Sequence, residues 1–262
     1  MITFVKLGGS LITDKKIENH FRAEDAERIA LELAEALTEN PQIQILIGHG
    51  SGSFGHVAAR RHGTINGVST PEQWRGFAEV GTVAAELSYL MSKSLSRAGI
   101  PVLRVQPSAS TRCRDGVIID MALDPIRSAL EHGLTPLVYG DVALDEVRGG
   151  TITSTETIFF YLAQHIPVTR IFLLGEVDGV YDQQGAVIPE ITPATLSAVE
   201  AALGGSAGTD VTGGMETKVR DMVALAQRLP HLQIRIMNGQ TPGLLKRTLL
   251  DQENAGTLIY AG

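Results

Sequence analysis

Short apolar runs alternate along this chain with longer stretches in which apolar residues recur every three or four positions. The first pattern is that of buried strands, the second that of amphipathic helices. Strand-like runs fall at residues 1–4, 43–47, 102–105, 136–139, 171–174, 233–237 and 257–260. Helical spacing covers 22–39, where Ile29, Leu33, Ala36 and Leu37 share a face. It also covers 71–98, which carries Phe77, Val80, Val83, Ala84, Leu87, Leu90 and Met91. Further helices are predicted at 124–132, 195–203, 219–229 and 242–250. Strands alternating with helices form βαβ units, so an α/β fold with a mostly parallel sheet is expected. Residues 177–188, with Asp182-Gln183-Gln184-Gly185 inside, predict a hairpin, and Gly204-Gly205-Ser206-Ala207-Gly208 is the most flexible stretch. With no internal repeat and no low-complexity linker, two lobes of one sheet divided near residue 165 are expected rather than independent domains.

Three of the junctions are glycine turns. Gly48-His49-Gly50-Ser51-Gly52-Ser53-Phe54-Gly55-His56 follows the apolar run at 43–47. Its bare backbone lets N–H groups approach an anion, and a helix opening at Ser53 to His56 would add its positive end. Lys6-Leu7-Gly8-Gly9-Ser10 ends the first strand with a lysine. Thr212-Gly213-Gly214-Met215 with Lys218 opens a later helix, where the macrodipole disfavours a cation unless an anion is bound. Neither G-x-x-x-x-G-K-[ST] nor G-x-G-x-x-G at a strand-to-helix junction is present. Glycine turns carrying lysines predict a grip on several phosphates, and hence phosphoryl transfer.

Charge and composition narrow the partners. The chain has 262 residues, a net charge of −7 and 5% aromatics, which gives no basic or stacking surface for nucleic acid. Phosphate-binding lysines must therefore be concentrated locally. Cys113 is the single cysteine, so neither an intrachain disulfide nor a thiolate cluster is expected. The histidines show no metal-ligand spacing, and no protein-held metal site is expected. The start of the chain lacks signal-peptide character and no apolar run approaches membrane-spanning length, so a cytoplasmic, soluble protein is expected.

Taken in order, Lys6-Leu7-Gly8-Gly9-Ser10 with Leu11-Ile12-Thr13-Asp14-Lys15, Gly52-Ser53-Phe54-Gly55-His56, Tyr139-Gly140-Asp141-Val142, Glu176-Val177-Asp178-Gly179-Val180-Tyr181 and Thr212-Gly213-Gly214-Met215 with Lys218 resemble the amino acid kinase superfamily. Ser-Phe-Gly-His with the Lys15 segment is narrower and is similar to the isopentenyl phosphate kinases and related fosfomycin kinases. The resemblance implies an αβα sandwich, with residues 1–165 holding the acceptor and 166–262 the nucleotide. It implies ATP and Mg²⁺, a small-molecule phosphate acceptor and a homodimer. Two departures stand out. Ser51 replaces a third consecutive glycine, and Ser154-Thr155-Glu156 stands where Ser-Gly-Asp is usual.

By this resemblance Lys6, Lys15, His56, Asp141 and Lys218 are the expected catalytic residues. Lys15 would stabilise the transferring group while Lys16 is an ordinary solvated lysine, and Asp141 would hold Lys6 and Lys218 in place. ATP is expected at Lys6, Gly8, Gly9, Ser10, Gly52, Glu176, Asp178, Tyr181, Gly214 and Lys218. The acceptor is expected at Ser51, Gly52, Gly55, His56 and Thr155, with the 71–98 helix walling its apolar tail. Alternatives are a same-fold kinase for fosfomycin or an amino acid derivative, and a non-catalytic nucleotide- or anion-binding protein.

Overall fold

The computed structural model describes residues 2–203 and 214–262. Strand β1 (Ile2–Leu7) is buried from Thr3 to Leu7 and leads into a single helical turn, α1 (Gly9–Ile12). Helix α2 (Ala23–Glu39), strand β2 (Gln44–His49) and helix α3 (Gly52–His62) follow. Helix α4 (Pro71–Arg97) starts at a capping box in which Thr70 and Gln73 satisfy each other's backbone N–H, with Pro71 in its first turn. Next come β3 (Val102–Arg104), α5 (Pro107–Ser110), β4 (Thr111–Arg114), β5 (Val117–Met121), α6 (Asp124–Glu131) and β6 (Thr135–Tyr139). Strands β7 (Asp141–Asp145) and β8 (Gly149–Thr153), helix α7 (Thr155–Ala163) and strand β9 (Val168–Gly175) bring the chain back to its centre. The last elements are β10 (Glu190–Ile191), α8 (Leu196–Leu203), α9 (Gly214–Arg228), β11 (Gln233–Asn238), α10 (Leu244–Leu249) and β12 (Thr257–Ile259).

Eight strands form one sheet in the order β10-β12-β11-β9-β1-β2-β6-β3. From β11 to β3 every neighbour is parallel, and only the β11–β12 contact is antiparallel. A parallel sheet needs both faces covered, because its strands are apolar on both sides. Along β1 the side chains alternate accordingly. Phe4 enters the core shared with Ile158 and Phe159 of α7 and Val219 and Met222 of α9. Val5 and Leu7 enter the core shared with Ile29 and Leu33 of α2 and Leu87 and Met91 of α4. The result is the expected αβα sandwich. Strands from before residue 165 lie on one side of the β9–β1 contact and later strands on the other, within a continuous sheet.

A second sheet, β5-β4-β7-β8, is built from residues 111–153 and is absent from the sequence-based expectations. Its strands β4 and β5 are half-exposed, while β7 and β8 are largely buried but rich in Asp, Gly and Thr, so none carries a clear apolar run. Asp145 pins both of its turns, accepting backbone N–H bonds from Asp115 (3.0 Å), Gly116 (2.7 Å), Val147 (2.9 Å) and Arg148 (2.8 Å). The hairpin expected at 177–188 forms, through a Tyr181–Val187 bridge. The glycine-rich stretch at 204–208 and the Thr212-Gly213 part of the third turn lie outside the described residues. No helix among the described residues is long and apolar enough to cross a membrane.

Candidate active site

The central strands β9, β1 and β2 run parallel, so their C-terminal ends open on the same edge of the sheet. That edge, where the direction of strand succession reverses, is where open α/β sheets bind ligands. Lys6 lies level with Leu173 on one side and Gly48 on the other. The loops that follow these strands border a cleft of about 990 Å³.

The first two glycine turns touch each other. A Cβ at Gly9 would lie 2.5 Å from the Gly52 nitrogen, and Gly52 itself has φ +48°, so neither position admits a side chain without displacement. Thr13 locks the pair, donating from Oγ1 to the Gly9 carbonyl (2.7 Å) and accepting from the Ser53 N–H (3.0 Å). Helix α3 therefore begins at the cleft, with the Ser53 N–H held by Thr13 and the Phe54 and Gly55 N–H groups by the Ser51 carbonyl. Gly52, Ser53, His56, Val57 and Arg60, one stripe of this helix, line that wall. Ser53 is 2% exposed, and its Oγ has no hydrogen-bond partner among the described residues.

The floor is ionic. Lys6 is 7% exposed in β1, and its Nζ meets Glu156 Oε1 at 2.5 Å. The same oxygen lies 3.8 Å from Lys218 Nζ, in the second turn of α9. Burial alone would raise the Glu156 carboxyl. The nearby Lys6 and Lys218 charges outweigh it and bring the pKa down from an ordinary 4.5 to about 2. Beneath the glycine turns, fully buried His49 stacks on Tyr139 with ring centroids 5.5 Å apart and its Nδ1 3.1 Å from the Gly50 carbonyl. Burial lowers its pKa to about 4, with a small push from Lys6, so the ring is neutral at neutral pH.

Twelve of the expected positions come together here. Lys6, Gly8, Gly9, Ser10, Lys15, Ser51, Gly52, His56, Thr155, Glu176, Gly214 and Lys218 all line the cleft. Lys15 is 71% exposed and lies 3.9 Å from Glu176. Glu176 also lies 3.5 Å from Arg22, so it sits among cations at the rim. Thr155 is buried, and its hydroxyl donates to the His49 carbonyl at 2.6 Å, which ties α7 to the end of β2. That bond gives Thr155 a positioning role beside its place in the wall.

Other expectations are corrected. Asp141 does not hold the lysines and is not among the described residues that line the cleft. It is 1% exposed, and its oxygens accept from the backbone N–H groups of Ser108 (3.0 Å) and Val142 (2.8 Å). Burial raises its pKa against those bonds. As the first residue of β7 it belongs to the second sheet, and its carboxylate fastens α5 there.

Asp178, Tyr181 and Gly55 are also absent from the lining. The Tyr181 hydroxyl and the Asn238 amide both bond Asp178, closing the turn after β9. Gly55 faces Ser51 instead, where a Cβ would lie 2.4 Å from the serine Cβ. Helix α4 does not wall the cleft either. It packs behind α3, where Val80 meets Ala58, Ala59 and Val142, and the apolar wall beside His56 is Val57 with Ile152.

Glu156, named from the sequence only within a departure from the family pattern and not as a site residue, is the carboxylate that meets both lysines. A local signal for its element exists. Ser154 caps α7 by accepting from the Thr157 N–H (3.0 Å), just ahead of the apolar run from Ile158 to Ala163.

The amino acid kinase family matches over residues 1–238. Isopentenyl phosphate kinase of Methanothermobacter thermautotrophicus is 34% identical, covering 97% of this chain and 97% of its own. That of Haloferax volcanii is 35% identical over 94% of this chain and 98% of its own. A solved isopentenyl phosphate kinase superposes with a TM-score of 0.83 at 30% identity, covering 99% of this chain and 100% of that one. With a family match over most of its length and relatives above 30% identity along nearly the whole of it, the chain belongs to the amino acid kinase family.

Proposed function

We propose that this protein transfers the γ-phosphoryl group of ATP to isopentenyl phosphate, giving isopentenyl diphosphate and ADP. The observation that carries the reading is one cleft in which the Lys6–Glu156–Lys218 floor faces the amide end and His56 of α3, with Val57 and Ile152 alongside. The positive helix end and the imidazole suit a phosphate acceptor, and the adjoining apolar wall suits its hydrocarbon tail. Isopentenyl phosphate kinases match this chain over nearly its whole length and nearly the whole of their own. In this reading residues 1–165 hold the acceptor and residues 166–262 the nucleotide, and the enzyme works in the cytoplasm as a homodimer.

Phosphoryl transfer needs positioning and charge neutralisation more than covalent help from the protein. Two like unit charges 4 Å apart repel by about 4 kcal/mol at an effective dielectric of 20, so bringing two phosphates together is the main obstacle. Lys6 and Lys218, oriented by Glu156, offset that repulsion from below, and Lys15 does so from the rim. The acceptor phosphate is already ionised, so no general base is required. Its oxygen attacks the γ-phosphorus as the bond to the β-phosphate oxygen breaks.

The cleft carboxylates Glu156, Glu176 and Glu216 each face at least one cation of the protein. This donor set fits Mg²⁺ held chiefly by nucleotide phosphates and water. Bound there, Mg²⁺ supplies further neutralisation of the β- and γ-phosphates.

A coupled ADP-release assay over isopentenyl phosphate, fosfomycin and N-acetylglutamate tests the acceptor. Turnover is expected with isopentenyl phosphate at the highest kcat/KM. Phosphorylation of an amino acid derivative without turnover of isopentenyl phosphate would overturn the acceptor and leave the family intact.

A further inference from the structure

We infer that Arg60 is a second arm of the acceptor site, whose guanidinium grips the acceptor phosphate over His56 and sets affinity for that anion. The inference rests on the reading of an anionic acceptor at the start of α3. Residues four apart on a helix lie one above the other, and their side chains lean towards its N-terminus. Arg60 is one turn, about 6 Å, beyond His56, so its long side chain leans back over the imidazole. Both residues line the cleft.

Three basic residues, Arg60, Arg61 and His62, close α3, and a cation in the last turn commonly answers the helix dipole. Arg61 and His62 have local partners. Arg61 bonds Glu18 (2.6 Å) and Glu79 (2.9 Å), and His62 Nε2 lies 2.8 Å from Glu79. Arg60 differs. It is exposed on the cleft side and makes no ion pair among the described residues, in a chain with 29 acidic and 22 basic residues.

A second observation on the same stripe points to an anion. The Ser53 hydroxyl is buried at the cleft without a hydrogen-bond partner among the described residues. An oxygen bound at the helix end would satisfy it. A phosphate monoester, with its second pKa near 6, carries close to two charges at pH 7.5. An imidazole offers it one N–H, whereas a guanidinium offers a fixed charge and a fork matched to two phosphate oxygens.

The test compares Arg60→Gln, Arg60→Lys and Arg61→Gln with the wild-type enzyme. Arg60→Gln is expected to raise the KM for isopentenyl phosphate about tenfold, leaving the KM for ATP and kcat within about threefold. Arg60→Lys should recover part of the loss, because it keeps charge without the fork. Arg61→Gln removes the same charge from the other face and should leave the acceptor KM within about twofold.

Thermal unfolding without ATP gives a readout independent of turnover. Isopentenyl phosphate and inorganic phosphate should each raise the Tm of the wild type more than that of Arg60→Gln. Equal effects of Arg60→Gln and Arg61→Gln, or an unchanged acceptor KM and Tm shift in Arg60→Gln, would overturn the inference while leaving the acceptor assignment standing. Conversely, a phosphate-induced Tm shift that depends on Arg60, in an enzyme that does not turn over isopentenyl phosphate, would keep the arginine arm and remove that acceptor.

Discussion

The floor and the rim of the cleft use the same residue types in opposite physical states. On the floor, Lys6 keeps 9% of its side chain exposed and meets Glu156 at 2.5 Å. At the rim, Lys15 keeps 71% exposed and stands 3.9 Å from Glu176. A buried ion pair is fixed by the cost of leaving either charge unpaired, whereas an exposed pair contributes little and lets its partners move. The floor is therefore built before any ligand arrives, while Lys15 can leave Glu176 for a phosphate at small cost. Preorganisation and mobility are divided between two regions of one site.

Breaking the floor should have the largest consequence. Glu156→Gln removes the carboxylate charge that lies between Lys6 and Lys218. It is expected to lower kcat by about 10²–10³ and to lower the Tm of the ligand-free protein, with Glu156→Asp recovering part of both. Steady-state ADP release and thermal unfolding check this. Unchanged turnover in a folded Glu156→Gln enzyme would remove the floor from the mechanism.

The rim should respond in rate alone. Lys15→Ala is expected to lower kcat by about 10², with the Tm and the KM for ATP unchanged, since its pair with Glu176 is long and solvated. Lys16→Ala should leave all three unchanged. An equal fall at both lysines would mean that general positive charge, rather than the position of Lys15, matters.

A smaller effect comes from beneath the floor. His49 is held neutral with its pKa lowered to about 4, so the unfolded chain binds the proton first as pH falls below 6.5. Its contribution to stability is complete above pH 6.5 and is lost as pH falls towards 4. Between pH 7.5 and 5.5 this amounts to about 1 kcal/mol. Chemical denaturation at the two pH values should show that loss, and His49→Gln should reduce it.

The smallest effect is expected at Asp141, which touches neither floor nor rim. Asp141→Asn keeps one acceptor for Ser108 or Val142 and should cost about 1 kcal/mol of stability, with kcat within about threefold of wild type. A loss of rate comparable to that of Glu156→Gln in a folded protein would restore Asp141 to the lysine cluster.

The helices and strands of the sandwich were legible because burial imposes period on sequence. The runs at 43–47 and 171–174 and the stripe of Ile29, Leu33 and Ala36 can be read without coordinates. Strands β4, β5, β7 and β8 could not be read, because the first two are half-exposed and the last two bury Asp, Gly and Thr, held by Asp145 and turn hydrogen bonds rather than by an apolar run. The turns at Gly8-Gly9 and Gly50-Gly52 announced themselves by composition, and the structure adds that they touch.

By itself the sequence determined the alternation of strand and helix, the bare backbone of the glycine turns and the placing of Lys6 and Lys218 beside two of those turns. Only the tertiary structure decided which carboxylate meets those cations. Lys6 and Glu156 are 150 residues apart, and nothing local to either records the other. Asp141 and Glu156 are both acidic residues near strand ends, and the order of the strands and the start of α7 aim Glu156 into the cleft and Asp141 into the second sheet. Local pattern is set by which side chains are buried. Pairing across the cleft is set by strand order and register, which arise only when distant segments pack together.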